Sequence, residues 1–495
     1  MSLKKEDLDG QFVLTQDPEF IPASWNTREK ASWVLATHPS LPITDARTEK
    51  GDHFGWVIGY PITSDFQLCS KEIVFSVAVN EKLQDQVIES NLYEMGGRFV
   101  GIFLSGGFSR LYLDPCGSLS VVYSTEVPVV TSTPSLIDSD LHQWDRELIN
   151  ALKMPDSGLW YPSGVTPRKF VSRLLPNHYL DLSRWHAVRH WPNESGLEAD
   201  ADSNESVRKI VSIVGGNISA VAKKHSLYLN LTAGRDTRKV LACARKKLDR
   251  IQFFTFFPGK ETVDSHVACV LSSKFNLNHI LLPVEHANKN KLDNWLFRTG
   301  HCVSGEIWRI HQTQRHLDVD RAVLPGLCGE LGRGQKWREN DHEKSKINAK
   351  ELLNRYGIPT YDKILTRTED WLAEVAHFNT FLILDLMYIE QRLGCWCGPQ
   401  TYGADDFFRC VILPFSHRQI FESMLTLPFE YKKRKQLTID ICKQEWPELL
   451  DLPFNELPGL IAKLMKYKKK VMWHVKRRLP KRKRLQSTDI AARQR

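Results

Sequence analysis

No run of about 18 apolar residues occurs in this sequence, so no segment reads as a membrane-spanning helix. The longest apolar stretch, Phe381 to Ile389, is short and carries Asp385. The opening Met-Ser-Leu-Lys-Lys-Glu-Asp has no apolar core behind it, which does not suit a signal peptide. Ten cysteines are scattered along the chain without one CxxC pair, and the nearest two are Cys395 and Cys397. A structural zinc site needs two spaced pairs, so reduced, mostly buried thiols in a cytoplasmic protein are the expectation. No Gly-Lys-Ser/Thr follows a glycine-rich loop, which excludes a Walker phosphate loop. No internal repeat is present.

What is present fits a globular protein of two domains. A chain of 495 residues is too long for one ordinary core. At 42% apolar, 25% charged and 10% aromatic residues it has the material to bury, which argues against extended disorder. The net charge of +9 is uneven, because residues 463 to 484 hold 12 Lys or Arg and no Asp or Glu. Subtracting those 12 from +9 leaves −3 for the rest, so basicity is a property of the C-terminal tail. Before Pro480 that tail mixes its charges with Leu464, Met465, Tyr467, Val471, Met472, Trp473 and Val475. It reads as a solvated terminal helix, as a basic amphipathic helix for an anionic membrane surface or acidic partner, or, least favoured, as a nucleic-acid contact.

Residues 95 to 133 predict short antiparallel strands. Residues 97–104, 109–113, 118–123 and 127–130 are apolar β-formers separated by Ser105-Gly106-Gly107 and Asp114-Pro115-Cys116-Gly117. The polar, acidic stretch from Asn193 to Glu205 reads as a linker. The period then changes. Helices are predicted over 206–224, 238–248 and 264–275, alternating with strands over 227–231, 251–257 and 279–283. That alternation predicts a parallel, doubly wound α/β sheet. From about residue 345 the pattern is mainly helical.

The segment with the most chemistry is Thr232-Ala233-Gly234-Arg235-Asp236-Thr237, at the carboxyl end of the first of these strands and opening a helix. Ligands of open α/β sheets bind at that end, and a helix N-terminus suits phosphate. Gly234 allows close approach of an anion, and Thr232 and Thr237 carry hydroxyl donors. Asp236 would repel phosphate unless a cation lies between, which suggests Mg²⁺. The plain alternative is that Thr and Asp only cap the helix.

This loop resembles the Ser-Gly-Gly-x-Asp-Ser pyrophosphate loop of the asparagine synthetase family, with Ala233 in place of a glycine. Asp264-Ser265-His266-Val267-Ala268 resembles the family's next acidic helix. Gly326-Leu-Cys-Gly329-Glu330-Leu-Gly-Arg-Gly334 resembles its Gly-x-Gly-x-Asp-Glu-x-x-x-Gly loop; Glu330 matches the glutamate, and Gly329 stands where the family has aspartate. By itself residues 326–334 read equally as a glycine-rich connection. Glu390-Gln-Arg392, Ile412-Leu-Pro414-Phe415, residues 427–435 and residues 446–453 are similar to the helical end of the family's synthetase domain. Among Lys432, Lys433, Arg434 and Lys435, one can supply charge over the reacting phosphate, with Lys435 the choice carried forward; a solvated basic face is the alternative. Gly97-Arg98-Phe99, Asp114-Pro-Cys-Gly117, Tyr123 and Arg173-Leu-Leu-Pro176-Asn-His178 follow the family's glutaminase domain, while the first 90 residues match poorly.

The resemblance implies an α+β N-terminal sandwich of the N-terminal-nucleophile type over 1–195. It implies an α/β adenine-nucleotide pyrophosphatase-type domain with a helical C-terminal part over 205–460, followed by the basic tail, 461–495. It also implies ATP and Mg²⁺ as cofactors, Thr232, Ala233, Gly234, Asp236 and Thr237 around the nucleotide, Asp236 and Glu330 on the metal, and Glu330 and Lys435 in catalysis. The reaction would be ATP-dependent activation of a small-molecule or peptide carboxylate, with pyrophosphate released, then amide formation with an amine. The amine would be ammonia as in asparagine synthesis, or part of the substrate as in β-lactam synthetases and lasso-peptide cyclases. The family's glutaminase uses an N-terminal cysteine; here Ser2 stands at that place and Cys69 is the first cysteine, so an active glutaminase is not expected. Two other classes share such a loop: an RNA-modifying adenylating sulfur transferase, and a non-catalytic nucleotide-binding relative.

Overall fold

The computed structural model describes residues 3–69, 71–76 and 85–457. Ser2 and the basic stretch 463–484 lie outside the described residues. The chain is mixed α/β, with three sheets. Two of them pack face to face in the N-terminal part. The six-stranded sheet runs in spatial order Val171–Arg173, Val122–Ser124, Val129–Thr131, Phe12–Thr15, Trp33–Thr37 and Asn26–Lys30, every neighbour antiparallel. The seven-stranded sheet runs His186–Arg189, His178–Asp181, Phe108–Leu113, Gly96–Ser105, His53–Ile62, Ile43–Thr48 and Glu72–Phe75, with only the last pair parallel.

Alternation along the strands explains why these sheets stack. In Gly96–Ser105, Val100, Ile102 and Leu104 point into the core between the sheets, where Phe12, Leu14, Leu35 and Val130 meet them. Phe99 and Phe103 point the other way, onto Ile88 and Leu92 of the Asp85–Tyr93 helix. A strand buried on both faces shows no polar phase, because each side has its own apolar partner.

Most of the predicted elements lie where the periodicity put them, with one informative difference. Residues 118–121 are not strand, and only Val122–Ser124 is. The Asp114 carboxylate accepts from the backbone N–H groups of Cys116, Ser118 and Leu119 and from the Ser118 hydroxyl. Those bonds close a turn that outcompetes β-pairing there.

The third sheet is parallel throughout, in spatial order His279–Pro283, Ile251–Phe257, Leu227–Asn230, Ala322–Val323 and Cys410–Val411. Helices Ser203–Lys224, Arg235–Cys243 and Val263–Phe275 contribute to the core around it. The cores do not divide at the linker. Ile62, Leu68, Cys116 and Trp191 join the core of the parallel sheet, and Tyr402 enters the core between the antiparallel sheets. A further cluster joins Leu148, Trp160 and Tyr161 to Leu353, Ile364 and Cys395.

Buried ion pairs reinforce that junction. Arg189 holds Glu390 through both guanidinium nitrogens, at 2.6 and 2.9 Å, while Trp371 and Asn177 donate to the same carboxylate at 2.6 and 2.7 Å. Four charge-assisted or polar contacts compensate a fully buried carboxylate, and against the push of burial they hold its pKa below the usual carboxylate range. Among the described residues, no helix is long and apolar enough to cross a membrane.

Candidate active site

Strand order decides where this sheet can bind a ligand. The chain runs outward from Leu227–Asn230 to Ile251–Phe257 and His279–Pro283, then returns to place Ala322–Val323 on the other side of the first strand. The crevice opens where two adjacent strands send their connections in opposite directions. Here that point lies between Leu227–Asn230 and Ala322–Val323, and the segments that follow them are residues 231–237 and 324–334. Both sequence motifs therefore emerge side by side.

They touch. A Cβ on Gly326 would lie 2.8 Å from the Asp236 carbonyl carbon and 3.0 Å from both the Asp236 oxygen and the Thr237 nitrogen. Backbone atoms cannot move aside as a side chain can. Gly326→Ala is therefore expected to cost about 1–3 kcal/mol by forcing the segments apart. Thermal melting checks this, and an unchanged melting temperature would mean that the contact is loose.

Gly234 stands at the N-cap of the Arg235–Cys243 helix without a capping side chain. The Thr232 and Thr237 hydroxyls bond each other at 2.8 Å, and Gly234 N–H donates to Thr232 Oγ1 at 3.0 Å. Ala233 is buried, and its N–H donates to Asp264 Oδ1 at 3.0 Å, so the acidic helix start holds the loop in shape. The Asn455 N–H donates to the Ala233 carbonyl, and Arg235 lies over the Phe454 ring at 4.3 Å.

Glu330 lies in the short helix Gly329–Arg333, 8% exposed, with its Oε2 atom buried and unpartnered. Burial, then the charge of Asp236, push its carboxyl up to about 7, against the opposing pull of Lys239 and Arg333. Glu330 is therefore not on an exposed turn. The same acidic centre and burial raise the Tyr388 hydroxyl well above its ordinary range.

Two cations that the sequence did not single out for this role complete the centre. Lys239 Nζ lies 3.0 Å from Asp236 Oδ1, as an ion pair without hydrogen-bond alignment, and donates to the Gly329 carbonyl at 2.5 Å. Arg333 Nη2 donates to Asp236 Oδ2 at 2.8 Å. A signal existed for Lys239: it falls three residues after Asp236 on a helix, within reach of its carboxylate. Nothing local pointed Arg333 to Asp236.

A magnesium ion suits several free carboxylate or phosphate oxygens in octahedral array. These residues do not offer it that. Both Asp236 oxygens face cations, and position 329 has no carboxylate. Among the described residues, no group of three or more His, Cys, Asp or Glu could hold a metal ion. Asp236 and Glu330 are close enough for the charge of one to act on the other, and both oxygens of Asp236 are turned to cations.

The basic run 432–435 is also split by the fold. Lys432 is buried against Asp385 at 2.5 Å, while Lys433, Arg434 and Lys435 are exposed. Lys435 takes a left-handed conformation, φ 56°, at the start of the Gln436–Glu445 helix. The ion pairs made by Asp236 come from Lys239 and Arg333.

A cavity of about 180 Å³ lies along the same strand ends, lined by Asn230, Phe254, Phe256, Val323, Leu327 and Phe408 among others. It is large enough for a small flat or apolar group next to the loop. For a thiol nucleophile the setting is poor. Burial raises the thiols of Cys69, Cys243, Cys302, Cys328, Cys395, Cys397, Cys410 and Cys442, where attack needs a lowered one. Compared with protein-family models and with curated proteins, the sequence matches none.

Proposed function

We propose that this protein is an ATP-dependent, amide-forming ligase that activates a carboxylate as an acyl-adenylate and releases pyrophosphate. One observation carries the reading: residues 232–237 and 326–333 are in contact at the switch point of a parallel sheet, around a buried carboxylate and cations. In this reading the fold is a sandwich of the N-terminal-nucleophile type joined to an adenine-nucleotide pyrophosphatase-type domain.

The helix start at Gly234 and the threonine hydroxyls receive the phosphates. The adjoining cavity takes the base or the acyl group. Adenylate formation needs charge neutralised on a departing pyrophosphate and little covalent help, which suits cations fixed in a partly buried site. Glu330, poised near neutrality, accepts the proton that the attacking amine loses. ATP as co-substrate and ten unpaired cysteines fit a cytoplasmic location.

The test is ATP binding by calorimetry and carboxylate-dependent exchange of pyrophosphate into ATP across a panel of amino acids and peptides. Gly234→Val is expected to weaken ATP by about tenfold or more, because a side chain there blocks backbone approach to phosphate. ATP affinity unmoved by that substitution would exclude the loop as the nucleotide site.

A further inference from the structure

Gly329 and Lys239 are far apart in the sequence, and the structure brings them together. A Cβ on Gly329 would lie 2.9 Å from Lys239 Nζ and 3.0 Å from Lys239 Cε. A side chain at 329 would therefore require the end of Lys239 to shift from where it now sits. Lys239 is 1% exposed and is held on three sides: by the Asp236 carboxylate at 3.0 Å, by the Gly329 carbonyl at 2.5 Å and by the face of Phe415 at 5.7 Å. It fills a built position.

We infer that Lys239 and Arg333 are the resident cations of this phosphate site in place of a divalent metal, so that it takes a nucleotide's polyphosphate in the metal-free form. The inference rests on the reading of residues 232–237 as the ATP loop.

The charges around the loop point the same way. Three cations, Arg235, Lys239 and Arg333, stand against two carboxylates, Asp236 and Glu330. The Arg235 Nη1 and Arg333 Nε atoms are buried and unpartnered, and the two guanidiniums are close enough for the charge of Arg333 to act on Arg235. Two like charges with unused N–H donors beside a helix N-terminus suit an anion. A divalent cation entering here would meet that positive set and would have to displace both partners of Asp236. A polyphosphate without its metal brings the opposite charge and uses the unpaired donors. The cost of holding cations together in a buried site is then offset when the ligand arrives.

Calorimetry on the full chain with ATP, in excess EDTA and in excess MgCl₂, separates the possibilities. ATP is expected to bind in EDTA at least as tightly as in MgCl₂. Lys239→Met is expected to weaken binding in EDTA by about tenfold or more, since it removes a charge-assisted contact and leaves Asp236 facing phosphate. Asp236→Asn is expected to retain or improve ATP affinity, whereas a bridging metal would make the same change costly. The double substitution Lys239→Met with Gly329→Asp opens the space and supplies the second carboxylate, and its ATP binding is expected to become Mg²⁺-dependent. Should Lys239→Met fail to fold, Arg333→Gln carries the test, because that side chain is partly exposed. ATP binding only in MgCl₂, lost in Asp236→Asn, overturns the inference and leaves the ATP reading standing. ATP binding in neither condition overturns the functional reading and the inference together.

Discussion

Arg98→Met is expected to destabilise the protein by about 3–5 kcal/mol, the cost of leaving one partner of a buried ion pair without the other. Arg98 is 1% exposed. Its Nη1 and Nη2 atoms donate to Asp405 at 2.7 and 2.8 Å, a two-pronged contact that joins the central strand of the seven-stranded sheet to the segment before Cys410–Val411. Its Nε donates to the Ser118 carbonyl at 3.3 Å, and the guanidinium lies over Tyr402 at 5.2 Å. Burial pushes the Asp405 carboxyl up, and Arg98 is the largest pull in the opposite direction. Without Arg98 the carboxyl rises further, so the variant's deficit should be greatest at neutral and alkaline pH and smaller in acid. Adding Asp405→Leu removes the orphaned charge and should restore much of the loss. Calorimetric melting of the two single variants and the double variant gives the coupling directly. Additive losses would show that the pair does not hold the two parts together.

Glu330→Gln is expected to fold, to keep ATP binding and to flatten the dependence of stability on pH. The native carboxyl titrates at about 7, above its ordinary 4.5. Below about pH 4.5 folded and unfolded chains both hold the proton, and the stabilising contribution is complete. As pH rises towards 7 the unfolded chain releases its proton first, and stability is lost until the folded carboxyl has titrated as well. Moving the carboxyl from 4.5 to about 7 corresponds to roughly 3 kcal/mol. The variant, with no proton to lose, should therefore gain on the wild type by about that amount between acid and pH 8. A melting series over that range, read as the difference between the two proteins, measures it. Parallel curves would show that Glu330 is solvated. If Glu330 also receives the amine proton, turnover in the variant should fall by about 10² to 10⁴-fold.

The loop at 232–237 was legible because its information is local: a strand, a glycine, two hydroxyls and an aspartate opening a helix. Glu330 was legible as part of a glycine-rich motif. Lys239 was passed over because one lysine on an amphipathic helix reads as solvated, and only Gly329 against it shows that it is enclosed. The different settings of Lys432 and Lys435 were hidden for the converse reason. Four basic residues in a row cannot share one environment, and the turn before Gln436–Glu445 buries Lys432 against Asp385 and leaves Lys435 exposed. Of the strands up to Glu72–Phe75, several are buried on both faces, so they lack the alternation by which a half-exposed strand is recognised.

The sequence by itself determined the alternation of strands and helices from 203 to 283, the antiparallel character of 95–133 and the existence of two glycine-containing loops. Those follow from periodicities and turn residues that act within a few residues of one another. Only the tertiary structure decided that the two loops meet, that Arg333 crosses to Asp236 and that Lys239 occupies the space beside Gly329. Strand order sets which segments share a crevice, and it is settled by burying apolar faces over the whole chain. One of the two charge partners of Asp236, Arg333, therefore comes from a residue that no local pattern connects to it.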